Sequence, residues 1–331
     1  MRRSTPARSS GVCSYHRLDF DLVVVHTPPD DMQRAREPLQ TAFGTLPVAK
    51  LGILDRLPAE LVSMVLRHYI RSFFAFRQVN RRARVLATEL WQYKLVSQHG
   101  LEGLRALLRA ELAHRFTIDD LYRPLITDRC STCGGFGGLL FLLTAERCCV
   151  KCLQSSAHYR VIPPSTFAKL ANISPGRLKR LSGAGLRTVR GIYNMMKRPP
   201  RRPMHLISEG KTVQTLLDLG VMGEDQMQNL RDWSEQTDQR FMAATAYGSY
   251  NLENGILERG VSCKGCQIRL EHHYDDLDAR DNCFSAQDFL PHDSYNVVYV
   301  QKAAVDISSH HVHLGRLIGA RDTHDDSRAV F

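Results

Sequence analysis

From Leu57 onward, apolar residues return at the spacing of a helix face. Leu61, Met64, Val65 and Tyr69 follow the pair Leu57-Pro58, and proline suits a helix start because the first turn needs no N–H from it. A second run holds Phe73, Phe74, Phe76 and Val79 and ends in Asn80-Arg81-Arg82-Ala83-Arg84. A third covers residues 86–96, with Leu90, Trp91 and Tyr93. Leucines at 101, 104, 107, 108 and 112 trace the stripe of an amphipathic helix, and Leu121, Leu125 and Ile126 continue the apolar texture around Pro124. Residues 53–126 therefore read as an all-helical unit. Further helices are expected at residues 165–170 and 177–181, and a polar one across 223–247.

Strands are expected only where glycine precedes an apolar run. Phe136 and residues 139–143 are enough for two short strands joined by a turn. The expected fold class is mainly α with a small β hairpin: a three-helix element over 53–95, supporting helices over 96–129, the hairpin module over 130–153 and a mixed helical and irregular module over 154–306. The flanks look different. Residues 1–52 are rich in Arg, Pro, Ser and Thr, and their one apolar run, Leu22-Val23-Val24-Val25, has no evident ladder partner. They read as a flexible arm. Residues 307–331, with His310, His311, His313 and His324, show no periodicity and read as an unstructured tail.

Composition changes the picture little. The 331 residues are 43% hydrophobic and 24% charged, ordinary for a chain able to bury a core and not for a wholly disordered one. No apolar run approaches the roughly eighteen residues of a membrane span. The basic first seventeen residues lead into no apolar stretch, so no secretory signal is expected. Nine cysteines in such a chain point to reduced thiols or metal ligands in the cytoplasm or nucleus. Charge is uneven: residues 130–205 hold 13 Lys/Arg against 1 Asp/Glu, while residues 206–331 hold 11 against 20.

The cysteines supply the sharpest chemistry. Cys130-Ser-Thr-Cys133 and Cys149-Val-Lys-Cys152 are two C-x2-C pairs fifteen residues apart. Each such turn brings two sulfurs to one ion, and zinc favours four thiolates in a tetrahedron. Gly134 and Gly135 follow the first pair, where a tight turn calls for positive φ. Cys148 competes with Cys149 for the same place, but only Cys149 restores the two-residue gap. The pattern predicts a zinc-ribbon-like hairpin with a closed, structural Zn2+ site. Four buried cysteines without metal, and a thiol–disulfide pair, are the alternatives. A third pair, Cys263-Lys-Gly-Cys266, could form a second site with Cys283 and His292, against the plainer reading of separate thiols beside surface histidines.

The stretch Leu57-Pro58-Ala59-Glu60-Leu61, followed by Val65-Leu66 and by residues 73–84, resembles the F-box motif, which opens on Leu-Pro before a helix and closes on Val-x-(Arg/Lys)-Arg. Leu121-Tyr122, the two cysteine pairs, Gly260-Val-Ser-Cys-Lys-Gly-Cys-Gln267 and Asp288-Phe289-Leu290-Pro291-His292 are similar to a fungal F-box family with a cysteine-rich module behind the box. That family usually carries a cysteine four residues after the histidine; Asn296 stands there in this chain. The resemblance implies docking to a Skp-type adaptor within a cullin-RING ubiquitin ligase, presentation of a protein substrate and no catalysis by the chain itself. The implied contacts are Leu57, Pro58, Leu61, Val65, Phe73, Phe74, Phe76 and Val79. Taken without the resemblance, the same residues would serve as core of the 53–126 unit.

Two other classes are weighed against this. A zinc-containing nucleic-acid-binding or nuclear regulatory protein would use the basic middle on phosphates. Aromatics for base stacking are sparse there, Phe167 and Tyr193, and no recognition-helix motif is present. A surface paired with the acidic C-terminal third explains the charge more cheaply. An enzyme would need a signature, and the chain has no P-loop, dinucleotide fingerprint, G-x-S-x-G or H-E-x-x-H.

Overall fold

A computed structural model describes residues 14–42, 44–45, 47–183, 185–194, 202–233, 237–273 and 281–289. The described residues are mainly α-helical with small antiparallel sheets, as the apolar spacing predicts. By their contacts they divide into a larger unit, residues 16–260 with 283–285, and a smaller one that includes 261–282. Contacts divide the chain at Gly260 and Val261, so the expected single module over 154–306 is corrected. The tail over 307–331 lies outside the described residues.

The larger unit opens with α1 (Leu18–Leu22) and α2 (Pro29–Gln40), so from residue 16 the expected arm is structured. Two long-range contacts do this. Val24 and Val25 are buried, and Val25 takes a parallel bridge to Thr245, a ladder partner more than two hundred residues away. Helix α2 buries no residue of its own. Its C-terminal carbonyls are instead met by Arg77, which donates to Pro38, Leu39 and Thr41, and by the Tyr93 hydroxyl, 2.6 Å from the Leu39 oxygen. Carbonyls at a helix end need such donors, and a cation there also suits the helix dipole.

The bundle proper is α3 (Ala59–Leu66), α4 (Ile70–Arg77), α5 (Arg81–Glu89), α6 (Trp91–His99), α7 (Leu101–Arg109) and α8 (Ile118–Leu125). The expected end of the first element at residue 95 falls inside α6, because Trp91 begins that helix instead of ending the one before. Side chains set two of the starts: Asn80 accepts from the Ala83 N–H, and Thr117 and Asp120 form a capping box. Gly103 lets the Tyr247 ring lie against α7 where a Cβ would collide with it. The Tyr247 hydroxyl then reaches the Leu121 oxygen of α8 at 2.9 Å.

Beyond α8 come β1 (Leu139–Phe141), β2 (Glu146–Cys148) and α9 (Val150–Ser155). A satellite region follows, with β3 (Val161–Ile162), α10 (Pro164–Leu170), α11 (Pro175–Ser182), β4 (Leu186–Arg187), β5 (His205–Ser208), α12 (Glu209–Asp218) and α13 (Glu224–Arg231). Ile162, Phe167, Leu178, Ile207, Leu216 and Leu230 form its own small core, and α10 and α11 stand where helices are expected over 165–170 and 177–181. The polar helix expected over 223–247 is shorter: α13 ends at Arg231, α14 (Asp238–Phe241) follows, and residues 244–246 form β6. β6 pairs antiparallel with β1, so the expected two-stranded hairpin is the three-stranded sheet β2-β1-β6, with Leu140 opposite both Arg147 and Thr245. In the smaller unit Ser14–Tyr15 pairs with Ser262–Cys263, and the helix Lys264–His273 follows.

Candidate metal centre and docking face

The first cysteine pair sits on a tight turn whose backbone closes on itself. The Gly134 N–H donates to the Cys130 oxygen and the Cys130 N–H to the Gly135 oxygen, with Gly134 at φ +72°. The Ser131 N–H donates to the Arg147 oxygen, tying this turn to β2. The second pair follows β2 directly and occupies the start of α9: Cys149 is its N-cap, and its sulfur accepts from the Cys152 N–H at 3.3 Å. A ribbon would carry both pairs on turns. Here the second lies on the first turn of a helix, so the module is a turn, a hairpin and a helix.

The four sulfurs of Cys130, Cys133, Cys149 and Cys152 lie within 4.8 Å of one another, with Cys133 and Cys149 at 3.7 Å. They lie at metal-binding distance, and among the described residues they are the only His/Cys/Asp/Glu group so placed. Cys148 points into the core instead, fully buried on β2, and burial pushes its thiol well up. The two-residue gap thus selects the right cysteine of the adjacent pair. Hydrogen bonding from Cys149, with backbone N–H groups of Cys133 and Thr132, draws the Cys130 thiol down to about 4. Cys149 moves upward, chiefly by giving that hydrogen bond, and burial raises Cys152 to about 12. One negative sulfur is easily accommodated; further thiolates in the same space repel one another unless a cation joins them.

The surroundings hold this geometry firmly. Tyr159 places its hydroxyl 2.9 Å from that of Ser131 and 3.0 Å from that of Thr132, bracing the first turn from behind. Arg240 donates to the oxygens of Leu153, Gln154 and Ser156 and so closes the C-terminal end of α9. Arg147, 3% exposed, donates to the carbonyls of Pro124, Gly137, Tyr247 and Gly248. It locks the hairpin to α8 and to the end of β6. Nothing in the sequence marks Arg147, Tyr159 or Arg240, because all three act through backbone partners or distant hydroxyls.

Of the second expected site, His292 lies outside the described residues. Cys263 and Cys266 are buried in the smaller unit. Cys283 belongs to the larger one, where burial raises its thiol to about 12.

The residues expected at a docking face separate by turn of helix. Helices α3 and α4 bury Val62, Leu66, Ile70 and Phe73 against the bundle. Phe73, expected as a contact, is 1% exposed and is core: its ring packs against Tyr93 at 4.6 Å. Phe74, Phe76 and Leu57 are half-buried against the same core, and Pro58 is exposed. Leu61 (45% exposed), Val65 (57%) and Val79 (66%) face outward. Met64, Tyr69 and Trp91, outside the expected contact set, are also exposed; their places in the helical repeat already marked them as apolar. Leu57, Val62, Leu66, Leu86, Leu90 and Trp91 line a groove of about 510 Å³ beside this face.

Of the basic middle, Arg147 is spent on carbonyls, Arg160 pairs with Glu209 at 3.2 Å and Arg187 with Glu111 at 2.6 Å. Among the described residues no helix is long and apolar enough to cross a membrane. Fold and site together define a mainly helical protein with a four-cysteine cluster at metal-binding distance. No family model, curated protein or solved structure matches the chain.

Proposed function

We propose that the chain is a non-catalytic substrate receptor of a Skp–cullin–F-box ubiquitin ligase, docking a Skp-type adaptor through α3 and α4 while a zinc-stapled module supports the remainder. The observation that carries this reading is the division of α3 into a buried face, Val62 and Leu66, and a bare apolar one, Leu61, Met64 and Val65, with Tyr69 and Val79 exposed just before and after α4. An exposed apolar patch of this kind marks a partner surface. Fully burying a leucine or valine contributes about 1.5–3 kcal/mol; Leu61 and Val65 are 45% and 57% exposed, so covering what remains of each would add about half of that. The Leu57-Pro58 entry and the Asn80-Arg81-Arg82 exit flank this face in the order an F-box places them.

Zinc fits the cysteine cluster on donor chemistry. Four thiolates about 2.3 Å from an ion stand about 3.8 Å apart, close to the 3.7 Å between Cys133 and Cys149. Zn2+ would supply the positive charge that lets all four ionise. With every position filled by sulfur, such a site is structural.

The test is co-expression of the full chain with a Skp-type adaptor. Intact chain is expected to co-purify with it. Leu61→Asp combined with Val65→Asp, both on exposed positions, is expected to abolish co-purification while melting temperature and bound zinc stay unchanged. Undiminished recovery of the adaptor by the double variant would reject the docking assignment.

A further inference from the structure

A cleft of about 950 Å³ in the larger unit is lined by none of the four clustered cysteines and, of the two docking helices, takes only Arg71 at the start of α4. It runs along the seam between the main core and the satellite core. Its apolar floor comes from Leu108, Ala113, Leu178, Met204 and Ile207. Pro163, Pro164 and Pro175 stiffen one wall, since each fixes its own φ and offers no N–H.

The rim carries the informative chemistry. Arg71 at the start of α4, His114 after α7, Lys179 on α11 and His205 on β5 all line the cleft, and all four are exposed. The one carboxylate in the lining, Glu111, already accepts from Arg187 at 2.6 Å. The cleft is therefore apolar at its floor and cationic or N–H-donating at its edge. Its donors stand on four separate elements, so one compact anion would leave most of them unmatched. A volume at the upper end of ligand sites and donors spread along the rim suit a short stretch of polypeptide.

We propose that this cleft binds an acidic peptide segment, with one large apolar side chain seated on Leu108, Leu178 and Ile207 and flanking carboxylates met by Arg71, Lys179, His114 and His205. Charge complementarity steers such an encounter and sets its selectivity. The proposal does not depend on the adaptor contact: the cleft takes only Arg71 from α4 and nothing from α3, and it would give a receptor its recognition surface.

The test uses the full chain and fluorescein-labelled peptides in which one leucine is flanked on both sides by glutamates, or by glutamines in the control. Polarisation is expected to report binding of the glutamate peptide at least about tenfold tighter than the control, with the preference shrinking as salt screens the pairs. Arg71→Glu combined with Lys179→Glu, both exposed, should erase that preference without moving the melting temperature. Leu108→Gln, at a position 39% exposed, should weaken binding of both peptides. Equal affinity for the two peptides, no binding by the intact chain, or full binding by the charge-reversed variant would overturn the proposal. Uptake of laurate with no uptake of the glutamate peptide would overturn it as well.

Discussion

A guanidinium buried without a carboxylate must find oxygen elsewhere, and Arg147 finds it on four backbone carbonyls drawn from α8, the Gly-rich loop and the end of β6. Burial lowers its affinity for the proton, to about 10, yet it remains charged at neutral pH. Each carbonyl left without its donor costs about 1–3 kcal/mol. Arg147→Met is therefore expected to lower unfolding free energy by about 3 kcal/mol, and Arg147→Lys, which lacks the planar fork, by a smaller but still clear amount. Urea unfolding checks this; a loss under about 1 kcal/mol for the methionine variant would show that the carbonyls find other donors. Side-chain roles of this kind are hidden in a linear chain. Cys149 could be told from Cys148 because metal chemistry imposes local spacing. Arg147 could not be told from its neighbouring arginines, since its partners lie up to a hundred residues away.

At the scale of elements, local rules went furthest where the determinant was local. The helical stripe over residues 101–112 and the Leu57-Pro58 start became α7 and α3 because periodicity and a missing N–H act within one turn. Helix α2 and the bridge of Val25 to Thr245 escaped the same reading: a donor on α4 and an edge on β6 complete them from elsewhere. Phe73 shows the limit of a stripe, which fixes that a residue is apolar but not whether its own bundle or a partner covers it. The cysteine module combines both cases. Its four clustered cysteines are legible in their spacing, whereas the placement of the second pair on α9 depends on a helix start that the Cys149 sulfur itself caps. Cys149→Ser is expected to lower bound zinc and to destabilise α9 and its turn. Cys148→Ala, beside it, should leave zinc content unchanged. Protons compete with the metal for thiolates, so zinc should also be released as pH falls. Elemental analysis of both variants decides the matter, and equal zinc in intact protein and Cys149→Ser would remove the site.

At the scale of the whole molecule, a helical bundle with a bare apolar face on α3 adjoins a module built round four clustered cysteines and a buried arginine. Binding at α3 and α4 should leave a footprint there and leave the cysteine module as it was. The most direct measurement is amide hydrogen exchange on the full chain, with and without a purified Skp-type adaptor. Slower exchange confined to residues 57–80, with residues 130–155 unchanged, is the outcome the account predicts. Adaptor present in excess with no protection over residues 57–80 would contradict it.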